Sequence, residues 1–217
     1  YGIYSEGDTK INLTGNSGTT TINSANGDGQ AILLLRSSTM VGSGVMNVAG
    51  NILVGGTSSL NLMMDSGSSL KGAWNTDSTA IGNLALTNGT WTMTGNSTLS
   101  SLASYGGTVN FATDLSGGSF GTLTVSNLSG NGTFGMRTDL ANNQGDLLNV
   151  TGNVKGQHQL RVNNQGSAAV DPTQELTIVK TAGSGSDAFS LTNAVEVGAF
   201  EYLLKQEGTD WNLYAIE

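Results

Sequence analysis

Short bursts of alternating apolar and polar residues, separated by Gly, Asn, Ser and Asp, recur along the whole chain. Ile32/Leu34, Leu84/Leu86 and Val109/Phe111 are examples. Alternation with a period of two over roughly four to six residues predicts strands that bury one face. No stretch keeps the apolar spacing of about 3.6 residues that a helix needs over three turns. We therefore predict an all-β protein.

The composition supports this fold class and excludes several others. Gly, Ser, Thr and Asn make up almost half of the 217 residues, while charged residues are 11%, Pro is a single residue and Cys is absent. The sparse charge argues against disorder, and the lack of Cys excludes disulfides and thiolate metal sites. Eight Lys and Arg residues in a chain of net charge −8 form no patch for nucleic acid. Because the chain begins at Tyr1 rather than Met, we expect it to be part of a longer protein.

The spacing of the predicted strands leaves two architectures open. Asn88-Gly89, between two alternating bursts, is a hairpin signal and locally favours an antiparallel sandwich. The near absence of Pro, the low aromatic content and the small polar turn residues favour a β-solenoid, whose strands are mostly central. Bursts recur unevenly, 17 residues apart from Trp74 to Trp91 and 24 from Leu60 to Leu84. We predict an irregular solenoid.

The composition changes near residue 118. Residues 1–120 hold 9 charged residues and residues 121–217 hold 15, together with the only Pro and the only His. The end of a solenoid exposes an unpaired edge and an open core, so it needs an atypical, more polar cap. We expect Gly/Asn/Ser/Thr-rich coils in residues 1–117 and a cap in residues 118–217.

Several short motifs follow one another in this second part. They are LSGNGTFGMRTD at 128–139, GDLLNVTG at 145–152, HQL at 158–160, LTIV at 176–179, VGAFEYLL at 197–204 and WNL at 211–213. In this order they resemble the C-terminal passenger region of type V autotransporters, similar to pertactin and the AIDA type. Residues 1–117 resemble, less specifically, the coils of AIDA-like self-associating adhesins.

The resemblance implies a right-handed parallel β-helix that ends in a cap containing antiparallel strands. In that family the cap is the autochaperone segment, which promotes folding of the passenger outside the cell. The implied location is the bacterial cell surface or the medium, reached through the periplasm and outer membrane. The implied partners are the outer-membrane β-barrel of the same full-length protein, further copies of the protein and host surface molecules.

By the same resemblance, a set of residues forms the folding core of the cap. They are Leu128, Phe134, Met136, Arg137, Asp139, Gly145, Asp146, Leu148, Val150, Gly152, Gly198, Phe200, Tyr202 and Trp211. Arg137 and Asp139 lie two residues apart on a predicted strand and point to the same side. They are either an exposed pair, worth less than about 1 kcal/mol, or a pair that builds the cap. The resemblance favours the second interpretation.

Two patterns could carry catalysis or cofactor binding. Residues 130–135 match the dinucleotide motif G-x-G-x-x-G, but that motif needs a following helix and an alternating strand follows instead. His158 is the only histidine, so no His pair can hold a metal, and a serine-hydrolase triad would have to combine it with Asp139 or Asp146. Its alternation with Leu160 favours a structural histidine.

Paired carboxylates could cleave polysaccharides if two of them lay about 5 to 10 Å apart. The candidates are widely spaced, have no basic cluster beside them and are Asp28, Asp65, Asp77 and Asp114. An Asp in a Gly- and Ser-rich context is typical of a turn. Calcium repeats of the G-G-x-G-x-D type do not occur. We therefore predict no catalytic, cofactor or metal site.

These observations predict a non-catalytic structural and adhesive module whose C-terminal segment promotes folding of the β-helix. We expect residues 118–217 to be the more stable unit and to template the coils before them. Two alternatives stay open. One is a β-helical carbohydrate-active enzyme, and the other is the stalk of a secreted autotransporter protease whose catalytic part would precede Tyr1.

Overall fold

A computed structural model describes residues 1–15, 17–25 and 29–216, and every regular element in these ranges is a β-strand. No helix of the described residues is long and apolar enough to cross a membrane. The strands are β1 (Ile3–Glu6), β2 (Lys10–Thr14), β3 (Thr20–Asn23), β4 (Gln30–Leu35), β5 (Thr39–Gly44), β6 (Met46–Ala49), β7 (Asn51–Val54), β8 (Ser59–Met64), β9 (Ser69–Lys71), β10 (Trp74–Thr76), β11 (Ile81–Thr87), β12 (Thr90–Thr92), β13 (Ser97–Tyr105), β14 (Thr108–Asn110), β15 (Thr122–Gly130), β16 (Thr133–Asp139), β17 (Gln144–Gly145), β18 (Leu147–Val150), β19 (His158–Asn164), β20 (Leu176–Thr181), β21 (Phe189–Leu191), β22 (Val195–Val197), β23 (Phe200–Glu207) and β24 (Asp210–Ile216).

The chain winds into coils whose strands pair in parallel with those of the coils before and after, on three faces. The first face holds β1, β4, β7, β10, the first halves of β13 and β15, β18 and β20. The second face holds β2, β5, β8, β11 and the second halves of β13 and β15. The third face holds β3, β6, β9, β12, β14, β16, β19 and β21. This arrangement is a parallel β-helix, as predicted.

The core runs along the axis of the β-helix, because equivalent positions in successive coils carry buried apolar side chains. On the second face, Leu62, Leu84, Leu102 and Leu128 are consecutive register partners. On the third face the corresponding column is Ile22, Val48, Leu70, Trp91, Val109, Phe134 and Leu160. Each such side chain contributes about 1.5–3 kcal/mol when fully buried, so stability comes from contacts between neighbouring coils.

The hairpin signal at Asn88-Gly89 is misleading. Asn88 has a positive φ of 46°, but the strands on either side belong to different faces. β11 pairs in parallel with β8 and β13, and β12 with β9 and β14. The pairing partners of both strands come from other coils. The dipeptide therefore forms a corner of a coil and not the turn of a hairpin.

The coils differ in length, which confirms an irregular solenoid. The register step is 18 residues from Thr90 to Thr108 and 31 from His158 to Phe189. Of the glycines in residues 130–135, Gly130 and Gly132 lie at the corner between β15 and β16, and Gly135 lies on β16. A Cβ on Gly130, whose φ is 99°, would lie 2.1 Å from the carbonyl oxygen of Ser104 in the preceding coil. Close approach of two backbones thus explains the match to the dinucleotide motif.

The β-helix ends in antiparallel strands, as the predicted fold class requires. β20 pairs with β24, β24 with β23 and β23 with β22, all antiparallel. Parallel pairing continues across the predicted boundary at residue 118. β13, which precedes the boundary, pairs with β15, which follows it, along both halves of the two strands. The division into residues 1–117 and 118–217 therefore stays a prediction about folding units.

Candidate folding site in the last coils and candidate binding face

Most of the residues assigned to the cap core are buried. Each of the following is no more than 3% exposed: Leu128, Phe134, Met136, Arg137, Asp146, Leu148, Val150, Tyr202 and Trp211. They come from β15, β16, β18, β23 and β24 and from the turn after β17. Parallel coils and the antiparallel hairpin thus share one core. Phe200 is half-buried and packs against that core.

Other assigned residues are not part of this core. Gly198 is exposed and has a φ of 65° in the turn between β22 and β23, where it permits the tight hairpin. Gly145 is half-buried at the end of β17, and Gly152 is half-buried in the bend after β18. Asp139 is also half-buried, and both its carboxylate oxygens accept hydrogen bonds from Asn142. None of these four residues therefore occupies the fully buried core position that was expected.

Arg137 pairs with Asp146 and not with Asp139, which corrects the predicted pair. The Arg137 Nε donates to Asp146 Oδ2 at 3.0 Å and Nη2 donates to Oδ1 at 2.8 Å, a bidentate ion pair. The backbone N–H of Arg137 also donates to Oδ2 at 2.7 Å, and the Asp146 N–H donates to the Arg137 carbonyl at 2.9 Å. The two side chains are 2% and 0% exposed. The pair is buried, so removal of either partner leaves an uncompensated charge.

The segment 112–121, which connects β14 to β15, covers this ion pair. Arg137 Nη1 and Nη2 each donate at 2.6 Å to backbone carbonyls of the segment, those of Gly117 and Ser119. The Asp146 Oδ1 accepts the Gly121 N–H at 2.7 Å, and the ring of Phe120 lies 5.6 Å from the guanidinium carbon. Arg137 and Asp146 therefore join β16, the turn after β17 and the covering segment.

His158 is a buried structural histidine. Its ring lies between those of Phe134 and Phe189, at centroid distances of 6.0 and 5.7 Å, and Nε2 is 3.1 Å from the Lys155 carbonyl oxygen. Burial lowers the pKa of the imidazole below its ordinary value, partly opposed by the hydrogen bond to Lys155. Asp146 is engaged by Arg137 and Asp139 by Asn142, so neither aspartate serves His158 as a triad partner.

Three of the four aspartates considered for polysaccharide cleavage lie within the described residues, and all three belong to turns. Asp77 Oδ2 accepts the N–H of Gly56 in the preceding coil at 3.1 Å, and Asp114 Oδ1 accepts the N–H of Ser116 at 2.8 Å. Asp65 is exposed in the turn between β8 and β9, and Asp28 lies outside the described residues. Among the described residues no group of three or more His, Asp or Glu side chains could hold a metal ion.

From β5 onward the second face presents an uncharged outer surface, whereas β2 at its start carries Lys10. None of the residues in β5, β8, β11, β13 or β15 is charged. A ladder of hydrogen bonds crosses it, because Asn83 Nδ2 donates to Asn61 Oδ1 and Ser101 Oγ donates to Asn83 Oδ1, both at 2.7 Å. Polar side chains on this face therefore stack from coil to coil.

Sequence reasoning missed the apolar side chains on this face. Met63 is 45% exposed, Ile81 49% and Tyr105 53%. Alternation with the buried Leu62 and Met64 places Met63 on the outward side of β8, but the sequence does not show which side chains lie beside it there. In the next coils its register partners are the small residues Ala85 and Ala103. Together with Val41 and the Asn ladder they line a shallow concavity of about 400 Å³.

Comparison with known proteins gives one family. The family model described as Pertactin matches residues 99–215. The probable autotransporter YcgV of Escherichia coli strain K12 is 43% identical over 182 residues, 80% of this chain and 19% of YcgV. The autotransporter adhesin/invasin TibA of Escherichia coli O78:H11 is 38% identical over 165 residues, 73% of this chain and 17% of TibA.

Among solved structures, the Haemophilus influenzae Hap adhesin superposes with a TM-score of 0.66 at 24% identity. The match covers 95% of this chain and 24% of the Hap chain, and it supports the fold. The chain thus spans less than a fifth of the length of YcgV and TibA.

Proposed function

The chain belongs to the Pertactin family, and from that premise we propose that it is a non-catalytic, adhesive segment of an autotransporter passenger. It acts on the bacterial surface or in the medium, after delivery through an outer-membrane β-barrel of the same protein. Residues 1–117 supply stacked coils, and residues 118–217 supply the unit on which those coils fold. The relatives' designations as autotransporters and as an adhesin support this proposal.

The folding role is supported by the way in which the last coils are closed. A solenoid gains its stability from interfaces between neighbouring coils, so its first folded coil needs another source of stability. The antiparallel strands β22–β24 cover one end of the core, and Trp211 and Tyr202 fill it. The buried Arg137–Asp146 pair fixes the connection between two coils. The first coils contain no comparable closure within the described residues.

The observation that carries the adhesive role is the outer surface of the second face. A chain of net charge −8 repels its own copies wherever its carboxylates meet. Over β5, β8, β11, β13 and β15 there is no charge to repel, and Asn, Ser and Thr side chains at outward, mostly half-buried positions offer hydrogen bonds. A second copy of the chain therefore fits this face better than a charged partner does.

The arrangement of side chains on the face also allows a self-complementary contact. Met63 projects from a column that continues with Ala85 and Ala103 in the next two coils. A two-fold axis in the interface, parallel to the strands and near Ala85, would set Met63 of each copy against Ala103 of the other. Such an isologous contact uses the same patch twice. We propose it as the self-association surface.

Met63→Glu tests this surface. The new carboxylate would lie against the uncharged, apolar patch of the second copy. We therefore expect the association constant to fall by about tenfold or more. Sedimentation equilibrium over a range of protein concentrations measures the effect. The matched control is Thr90→Glu, which adds the same charge at an exposed position of the third face. It should associate as the unmodified chain does. An unmodified chain that stays monomeric at every concentration, or equal weakening by both variants, contradicts the proposal.

A further inference from the structure

A row of aromatic rings links the last coils of the β-helix to its antiparallel end. Phe134 of β16, His158 of β19 and Phe189 of β21 occupy successive coils on the third face, and Trp211 of β24 continues the row. The Phe189 and Trp211 centroids are 5.3 Å apart with the rings at 72° to each other. His158 is the one titratable member of this row, and it is 1% exposed.

The hydrogen bonding of His158 fits only its neutral form. The Lys155 carbonyl can only accept, so Nε2 carries the proton and donates to it. Nδ1 is then a bare acceptor, and it has no hydrogen-bond partner among the described residues. A second proton would create both a charge and an N–H donor without an acceptor. Both are costly inside an apolar stack.

No carboxylate of the packed elements offsets that charge. On β16, Arg137 and Asp139 alternate with the inward-facing Met136 and point away from the ring. The other charged groups of the surrounding elements are exposed or at outward positions of their strands: Lys155 and Asp187 in the flanking turns, Arg161 on β19, Glu196 on β22, Glu201, Lys205 and Glu207 on β23, and Asp210 on β24. Tyr202 of β23 is buried, but a phenol is neutral in this range.

We propose that His158 makes the last coils of the β-helix acid-labile, so that proton uptake by its ring separates the β19–β21 coil from the antiparallel strands that close the core. The first coils contain no histidine and do not take part. The proposed pH response concerns residues 118–217, to which we assign the folding role. The response itself does not depend on that role, and only its biological consequence rests on it. Mild acid would keep the last coils open, and neutral pH would close them.

The direction of the pH effect follows from the depressed pKa. Burial holds the pKa of the folded imidazole below the ordinary value of 6.5. Between these two values the unfolded chain binds more protons than the folded chain, so the stability from neutral His158 is complete above about pH 6.5 and is lost as the pH falls. With a single histidine, hardly any other side chain of ordinary pKa changes charge between about pH 5 and pH 7.

Two measurements on the full chain test the proposal. The first follows the single imidazole Cε1–H resonance by NMR, and we expect its titration midpoint below 6.5. The second compares the urea midpoint of unfolding at pH 7 and pH 5 for the unmodified chain, His158→Phe and His158→Gln. The unmodified chain should lose stability at pH 5, and both variants should change much less. Phe preserves the aromatic row, whereas Gln preserves a donor for the Lys155 carbonyl.

A midpoint at or above 6.5, or the same pH dependence in the variants and the unmodified chain, overturns the proposal. If neither variant folds, the NMR titration of the unmodified chain still decides. Protection factors from hydrogen exchange, corrected for the intrinsic rate at each pH, should fall at pH 5 first in β19–β21, and an equal fall in all coils also contradicts the inference. Failure here leaves the folding role intact, because that role is tested by fragments at neutral pH.

Discussion

Replacing Asp146 with Ala is expected to lower the free energy of unfolding by about 3–5 kcal/mol, since it leaves the buried Arg137 guanidinium without its counter-charge. The variant also removes the acceptor of the Gly121 N–H and of the Arg137 N–H. Segment 112–121 should then become more exposed, because its carbonyls depend on an Arg137 side chain that is no longer held in place. Urea denaturation at neutral pH measures the loss of stability.

Asp139→Ala is the matched control, because it removes a carboxylate two residues from Arg137 that bonds only locally to Asn142. We expect it to cost less than about 1 kcal/mol, the usual worth of an exposed polar contact. The double variant Arg137→Met with Asp146→Leu replaces the pair by apolar side chains, and it should be more stable than Asp146→Ala alone. Equal losses for Asp146→Ala and Asp139→Ala would show that the ion pair has no special role.

Residues 118–217 are expected to fold as an isolated fragment, whereas residues 1–117 are not. The first fragment contains the closed end of the core, the antiparallel strands and the buried ion pair. The second would expose an open core at both ends, and each of its coils is stabilised only by its neighbours. Far-UV circular dichroism and cooperative urea unfolding of both fragments measure this. A fragment 1–117 that unfolds as cooperatively as fragment 118–217 would contradict the assignment.

Leu148→Asp tests the same unit in the full chain. Leu148 is 0% exposed on β18, between β15 and β20, so a carboxylate there is buried without a partner. We expect it to unfold the last coils and to slow refolding of the whole chain. Asn149→Asp adds the same charge at the neighbouring, outward-facing position, and it should refold nearly as fast as the unmodified chain. If both variants refold at that rate, β18 is not part of the folding unit.

The sequence predicted those features of the fold that depend on alternation. Interior positions such as Leu84, Trp91 and Phe134 are the large apolar residues of period-two bursts, and all three are buried. Corners were less predictable, since Asn88-Gly89 has the local chemistry of a hairpin. Which strands pair is decided by coils about twenty residues away, and a local signal does not contain that information.

The candidate sites were harder to predict than the fold, because they depend more on contacts between residues that are far apart in the sequence. Spacing suggested that Arg137 pairs with Asp139, because both point to one side of β16. The turn at β17 instead brings Asp146 back beside Arg137, nine residues along the chain. Burial of the pair by segment 112–121 was not predictable from either residue. The apolar patch around Met63 was not predictable for a similar reason, since its neighbours Ala85 and Ala103 come from two other coils.

The order in which the coils form is the most direct test of the account. Pulse-labelling hydrogen exchange during refolding of the full chain, read out by mass spectrometry of its peptides, gives that order. We predict that amides of β16 and β18–β20 become protected first, and that protection then spreads through β15 and β13 to the first coils. Earlier or simultaneous protection of β4–β9 would contradict the claim that the last coils template the rest.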